Sequence, residues 1–200
     1  MEFDLQGADA KSAYKLLTSL VTPRPIAWIT TQDSDGNVNA APFSFFNVFG
    51  TRPPIVAFAP GDKEPGIPKD TARNIRSNQE FVVNLVDEAV AEAMNATAAD
   101  LPFGQSEITF AGLTLAPSAT VAPPRIAESP VSMECTEHST IEIGRDRIVL
   151  GIISRLHVRD GIIDPETVNL NPDSYFPIGR MQSPDSYCRT RDQFEIERPD

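Results

Sequence analysis

The spacing of apolar residues predicts a short amphipathic helix first. From Asp9, a side chain suited to N-capping, to Leu20, the chain places Ala13, Leu16, Leu17 and Leu20 at i, i+3, i+4 and i+7, which is one helix face. After Pro23 and Pro25, "IAWITT" is β-branched and aromatic, "DSDGN" contains an Asp-Gly turn, and "VNAAPFSFF" resumes an apolar course: the pattern of a hairpin. "TRPP" interrupts it, and "IVAFA" follows without alternation, as expected of a strand covered on both faces. The Gly- and Pro-containing "GDKEPGIPK" reads as a loop that delivers the chain to Asp70, suited to cap a helix over about 71–77. "FVVNLV" is a further strand, and Val90, Ala91 and Met94 recur at helical spacing between Asp87 and Ala98.

The connection from Leu101 to Pro130 is irregular, with short β-like pieces. In "VSMECTEH" the alternation assigns Val131, Met133 and Cys135 to one face and Ser132, Glu134 and Thr136 to the other, which makes Cys135 a small core residue. "STIEIG" alternates too, residues 144–147 can turn, and "IVLGIISRLHV" is a long strand in which Gly151 marks a bulge or bend. From Asp164 onward the chain is polar and rich in turn residues, yet carries Tyr175, Phe176, Tyr187 and Phe194. Such a tail is expected to pack on its own domain or on a neighbouring subunit. Six or seven β segments, short turns, two or three short helices and no βαβ crossover favour a mainly β, antiparallel barrel with helical insertions. Residues 1–200 are expected to form one domain, with 164–200 as a C-terminal extension.

Composition narrows the function classes. The 200 residues include 17 basic and 28 acidic side chains, a net charge of −11, which disfavours nucleic acid as a partner. With 40% hydrophobic and 22% charged residues the chain should fold. Its apolar runs are too short for a membrane span and "MEFDLQGADAK" lacks a signal peptide's pattern, so a cytoplasmic protein is expected. The two cysteines, Cys135 and Cys188, lie far apart and outside any CxxC, and the two histidines lack metal-ligand spacing, so neither a disulfide framework nor a metal site is indicated. The 18 prolines are scattered between apolar runs and punctuate many short elements.

No GxSxG, Walker A or strand-following GxGxxG occurs. Three segments in the first half can carry chemistry. In "TPRPIAWITT" Arg24 is fixed between two prolines at the mouth of a strand, which suits either a surface arginine or a binding one. In "NAAPFSFFN" the small residues beside Ser44, Phe45, Phe46 and Asn47 offer polar groups next to apolar area, either a core strand or a place for a planar heterocycle. In "KDTARNI" the free N–H groups of a helix start, with Lys69, Thr71 and Arg73, could face an anion, while Asp70 is left to capping.

Taken in order, "TPRPIAWITT", a "DG" turn, "NAAPFSFFNVFGTRPPIVAF" and "KDTARNI" before "FVVNLV" resemble the flavin reductase-like family of FMN-binding split-barrel proteins. "IVLGIISRLHVRDGIID" and "YFPIGRMQSPDSYCRT" extend the likeness over nearly the whole chain. The resemblance implies a six-stranded antiparallel split barrel that forms a homodimer, with FMN in a groove at the subunit interface. It implies Ser44, Phe45 and Asn47 along the isoalloxazine ring, Lys69 and Thr71 at the phosphate with Arg24 nearby, and Gly179 and Arg180 closing over the flavin. The implied reaction is hydride transfer from NADH or NADPH to FMN. The flavin would do the chemistry and no side chain would be catalytic, while N–H donors or a cation would steady charge developing on the ring. A monooxygenase or another redox protein would be the partner. The alternative within the family is an FMN-holding electron carrier of the flavoredoxin kind that does not use nicotinamide. Outside it, a flavin-free barrel for another small molecule remains.

Overall fold

The computed structural model describes residues 1–7, 9–64, 66–99, 101, 106–144 and 146–199. In chain order the elements are α1 (Ala10–Leu20), β1 (Ala27–Gln32), β2 (Val38–Phe43), β3 (Phe46–Thr51), β4 (Pro54–Phe58), the small hairpin β5 (Asp62–Glu64) and β6 (Ile67–Pro68), α2 (Asp70–Asn78) and β7 (Glu80–Asn84). A 3₁₀ turn (Glu88–Val90) leads into α3 (Ala91–Ala96) and then α4 (Glu107–Phe110). Next come the short pair β8 (Leu115–Ala116) and β9 (Arg125–Ile126), the long strands β10 (Val131–Ile143) and β11 (Asp146–Val158), and the pair β12 (Gly179–Arg180) and β13 (Tyr187–Cys188).

The principal sheet runs β2-β1-β7-β10-β11-β4-β3, and every neighbouring pair is antiparallel. It has seven strands where six were expected, because "VNAAPFSFFNVF" breaks at Ser44-Phe45 into β2 and β3. These two lie at opposite edges of the sheet although only Ser44 and Phe45 separate them. The sheet therefore has to roll until its edges meet at that corner. Away from it no ladder joins β2 to β3 among the described residues, so the result is a mainly β barrel with an open seam, a split barrel.

Two apolar layers hold it. Inside the barrel Ala27, Ile29, Phe43, Val56, Phe58, Ile75, Phe81, Val83, Met133, Cys135 and Val149 pack together, while on the other side of β1 Trp28 packs with Ala40, Val90, Met94, Ile108 and Ile126 beneath the helices and the β8–β9 segment. That is why "IAWITT" carries apolar residues on both faces. Burial raises the pKa of the Cys135 thiol, as expected of a core residue. The bulge foreseen at Gly151 lies across from it: the register shifts between Glu137 and Ser139, and Gly151 pairs with Glu137. Gly151 is needed instead because a Cβ there would overlap the Phe81 ring.

The alternation along β10 holds, with Ser132 and Glu134 on the face opposite Met133 and Cys135, but that second face is covered as well. Both polar residues are buried, since the irregular segment after α4 folds over that face of β10. The Glu134 carboxylate accepts from Ala119 N at 2.7 Å, from Thr120 N at 2.6 Å and Thr120 Oγ1 at 2.5 Å, and pairs with His157 Nε2 at 2.5 Å. Burial alone would raise this carboxyl, but the donors of Thr120, Ala119 and His157 outweigh it and hold the pKa at about 2. The folded value lies below the ordinary 4.5, so the group stabilises the fold above about pH 4.5 and loses that contribution as pH falls toward 2. The contribution is about 3 kcal/mol at neutral pH. Glu134→Gln is expected to lower unfolding stability by that order at pH 7, and urea titrations should find the gap to the parent protein narrowed at pH 3.

Candidate functional site

β2 is an edge strand, and its register determines what it offers along the seam. Asp33 N donates to Asn37 O at 3.0 Å, so Asp33 and Asn37 form a hydrogen-bonded pair and the pairing alternates from there. Asn39, Ala41 and Phe43 then bond to β1, while Val38, Ala40 and Pro42 direct their backbone groups away from it. Proline fits the outward set because it has no N–H to lose.

A groove of about 130 Å³ opens on this edge. It is lined by residues 39–43 of β2, Lys63 of β5, Lys69, Asp70 and Thr71 at the start of α2, residues 97–99 after α3, and Glu107 of α4. The helix begins one residue earlier than the sequence suggests: Lys69 is the N-cap and its side chain makes no capping bond. Asp70, expected to cap, instead pairs with Arg73 at 2.7 Å, which removes Arg73 as an anion ligand. Thr71 is buried, and its Oγ1 accepts from Asn39 Nδ2 at 2.9 Å, tying α2 to β2 while its own O–H remains able to donate. Lys69 Nζ lies 5.5 Å from the centroid of the Phe43 ring. Neither Lys69 nor Lys63 forms an ion pair among the described residues.

Beyond Phe43 the corner carries a different set. Arg24 is buried, and its guanidinium donates to Thr18 O and Val21 O at 2.7 Å each, to Met181 O at 2.8 Å and to Ser44 Oγ at 3.3 Å. Its donors are thus committed to four acceptors of the chain itself, at the opposite end of β2 from the Asn39–Thr71 bond. Arg24 thus ties α1, the corner and the tail together. Its backbone also exchanges hydrogen bonds with Arg180, N to O at 2.9 Å and O to N at 2.8 Å. Arg180 stacks on Tyr187 at 4.6 Å and donates to Pro184 O, so its charge stays within the tail. Gly179 is required by close approach, since a Cβ would come within 2.8 Å of Pro23 and 2.9 Å of Cys188 Sγ. Phe45 is half exposed and meets Tyr14 edge-on at 6.3 Å. Asn47 lies on β3, exposed, its Oδ1 taken by the Val48 N–H.

The predicted residues therefore fall into two groups on one strand. Lys69 and Thr71 stand at the groove; Arg24, Ser44, Phe45 and the Arg180 backbone gather at the corner; Asn47 joins neither. From Asn39 to Ser44 the chain advances roughly 17 Å, enough to lay a tricyclic ring and a phosphorylated side chain end to end. Sequence reading missed Lys63, Asn39 and Glu107. Lys63 lies in what reads only as a loop, and only the fold brings Glu107 to β2. The donor set of two lysines, a hydroxyl and an edge N–H fits an anionic ligand on a chain of charge −11.

Arg24→Ala leaves four acceptors without their donor and is expected to cost about 2–4 kcal/mol, seen as a lowered melting temperature by calorimetry. Arg24→Lys should recover only part of it, because one ammonium cannot reach all four acceptors.

Comparisons with known proteins agree with this architecture. The profile described as "Flavin reductase like domain" matches residues 19–179. An uncharacterised protein of Deinococcus radiodurans is 44% identical over 201 residues, 98% of this chain and 88% of its own length. The 2-nitrobenzoate 2-nitroreductase of Pseudomonas fluorescens superimposes with a TM-score of 0.90 at 36% identity, covering 100% of this chain and 96% of that one. Nitrilotriacetate monooxygenase component B from Bacillus cereus gives 0.92 at 32% identity, with 98% of each chain covered. Flavoredoxin of Desulfovibrio vulgaris, at 19% identity, TM-score 0.78 and 98% and 97% coverage, shares the fold. With a family match over most of its length, the chain belongs to the flavin reductase-like family of oxidoreductases.

Proposed function

We propose that this protein binds FMN along the open edge of β2 and reduces it with NADH or NADPH, delivering reduced flavin to a monooxygenase. The observation that carries this reading is the pair of lysines, without ion-pair partners among the described residues, that stand with the Thr71 hydroxyl beside an edge strand in an otherwise acidic chain. When bound, the flavin supplies the hydride chemistry. Lys69 and Lys63 neutralise the phosphate, Thr71 donates to it, and Phe43 gives apolar contact. Ser44, its oxygen fixed by Arg24, presents a polar group at the ring end, and Phe45 borders it. The partner assignment draws on the 32% identical component B of a monooxygenase. A second reading is favoured by the 36% identical nitroreductase: a small nitroaromatic acid accepts the electrons in place of an oxygenase system. The electron-carrier alternative has only a fold-level likeness behind it.

The working unit is a homodimer on this proposal. α1 and its C-cap leave Tyr14, Leu17, Leu20 and Val21 exposed, Tyr14 meets half-exposed Phe45, and Val48 and Phe49 are exposed on β3. Large apolar side chains left exposed in this number call for a partner, and a second copy would cover them beside the ring end of the groove. Leu20→Asp is expected to shift the protein toward monomer in sedimentation and to loosen flavin binding at the ring.

The first test is an anaerobic spectrum of the protein with added FMN, before and after NADH and then NADPH. Bleaching of the oxidised flavin band is expected with one donor. A bound flavin that stays oxidised until dithionite is added would overturn the reductase reading. Lys69→Ala is expected to weaken FMN about ten-fold or more, the worth of a charge-assisted contact, while riboflavin, which has no phosphate, binds as before.

A further inference from the structure

Glu107 opens α4 and lines the same groove as Lys63, Lys69 and Thr71. Its carboxyl shares the groove with the backbone of Ala40. Ala40 belongs to the outward set of β2, and because Pro42 has no N–H, it is the one outward donor between residues 39 and 43. A carboxylate thus stands in the same groove as the backbone donor that a ligand lying on this edge would meet. The charged groups facing it are Lys63 from β5, Lys69 at the head of α2, and Asp70 from α2, itself held by Arg73. Residues 39–43 and 97–99 bring no charge. Glu107 has no ion-pair partner among the described residues. Burial first, and the Asp70 charge after it, raise its pKa above the ordinary carboxylate value, against the smaller pull of the backbone dipoles of Glu107 and Ala40.

We propose that Glu107 couples occupancy of the phosphate end of this groove to proton uptake, so that FMN is held more loosely as pH rises while riboflavin is not. The proposal rests on the flavin reading above. A dianionic phosphate confined with a carboxylate in about 130 Å³ lies within a few ångströms of it. A like charge at such range disfavours the ionised carboxyl and raises its pKa further. The direction of the linkage follows. At low pH Glu107 is neutral and the lysines act on the phosphate unopposed. Once the pH exceeds the carboxyl's pKa in the complex, both anions are charged and FMN affinity has fallen, by about ten-fold for a repulsion of about 1.4 kcal/mol. The physical consequence is an exchangeable flavin, which suits a protein that hands its reduced flavin on.

The test uses FMN and riboflavin as probes from pH 5.5 to 8.5, with the intact protein and Glu107→Gln. Glu107→Gln is expected to bind FMN about ten-fold more tightly than the parent at pH 8, with the gap closing as pH falls, and to leave riboflavin unchanged. Calorimetry of the parent protein in two buffers of different ionisation enthalpy provides a reading independent of any variant. Net proton uptake is expected with FMN and none with riboflavin. Lysines acting alone would strip protons from the phosphate and give release instead. Proton release, an unchanged FMN affinity in Glu107→Gln, or equal changes for FMN and riboflavin would overturn the proposal and leave the flavin site standing. Failure of both flavins to bind the parent protein would overturn the underlying reading as well.

Discussion

Two residues, Ser44 and Phe45, connect the opposite edges of a seven-stranded sheet, and most of what matters here depends on that short connection. A twisted antiparallel sheet can close into a barrel by pairing its edges. Here the edges are pinned at one corner and left unpaired elsewhere among the described residues, so β2 keeps outward backbone groups along an open seam. An unpaired edge is normally a hazard to be covered. This one is covered in part by α4 and by the start of α2, which Thr71 fastens to Asn39. The groove is what remains between those covers and the turn after α3.

The two ends of the seam are built on different principles. At the corner Arg24 gathers the end of α1, Ser44 and Met181 in one buried guanidinium, which makes that end rigid and self-satisfied. At the groove the lysines have no partner of opposite charge among the described residues. A ring demands orientation, so a stiff corner suits it. A phosphate demands charge, and a chain with eleven more acidic than basic residues can supply that only locally.

How much of this the sequence discloses follows from the range of the interactions. α1 with its Asp9 cap, the β1–β2 hairpin and the strand within "FVVNLV" are local patterns, and the structure has each where the periodicity places it. Alternation gives the face Glu134 is on but not what covers that face, and the segment that buries it comes from ten or more residues upstream. Arg24 does stand at a strand mouth, but its acceptors include Met181, 157 positions away, and no local pattern distinguishes such a tie from a ligand contact. Lys63 and Glu107 reach the groove from a three-residue strand and a four-residue helix, elements too short to leave a periodic signal.

The same contrast bears on why the family's motifs stand where they do. "PFSFF" reads as one apolar strand, and its interruption at Ser44 and Phe45 is what separates a continuous edge from a corner. A larger residue in place of Ser44 would crowd the Arg24 guanidinium, whose other three bonds fix it against Thr18, Val21 and Met181 and leave it no room to withdraw. The late Gly179 is constrained from the other side, with Pro23 and Cys188 already at contact distance from where a Cβ would be. Three segments distant in sequence, "TPRP", "PFSFF" and "IGRM", are thereby interlocked around a single side chain. Their joint occurrence is a packing requirement of the corner before it is a ligand requirement, and the ligand reading has to be earned separately at the groove, where the charge is.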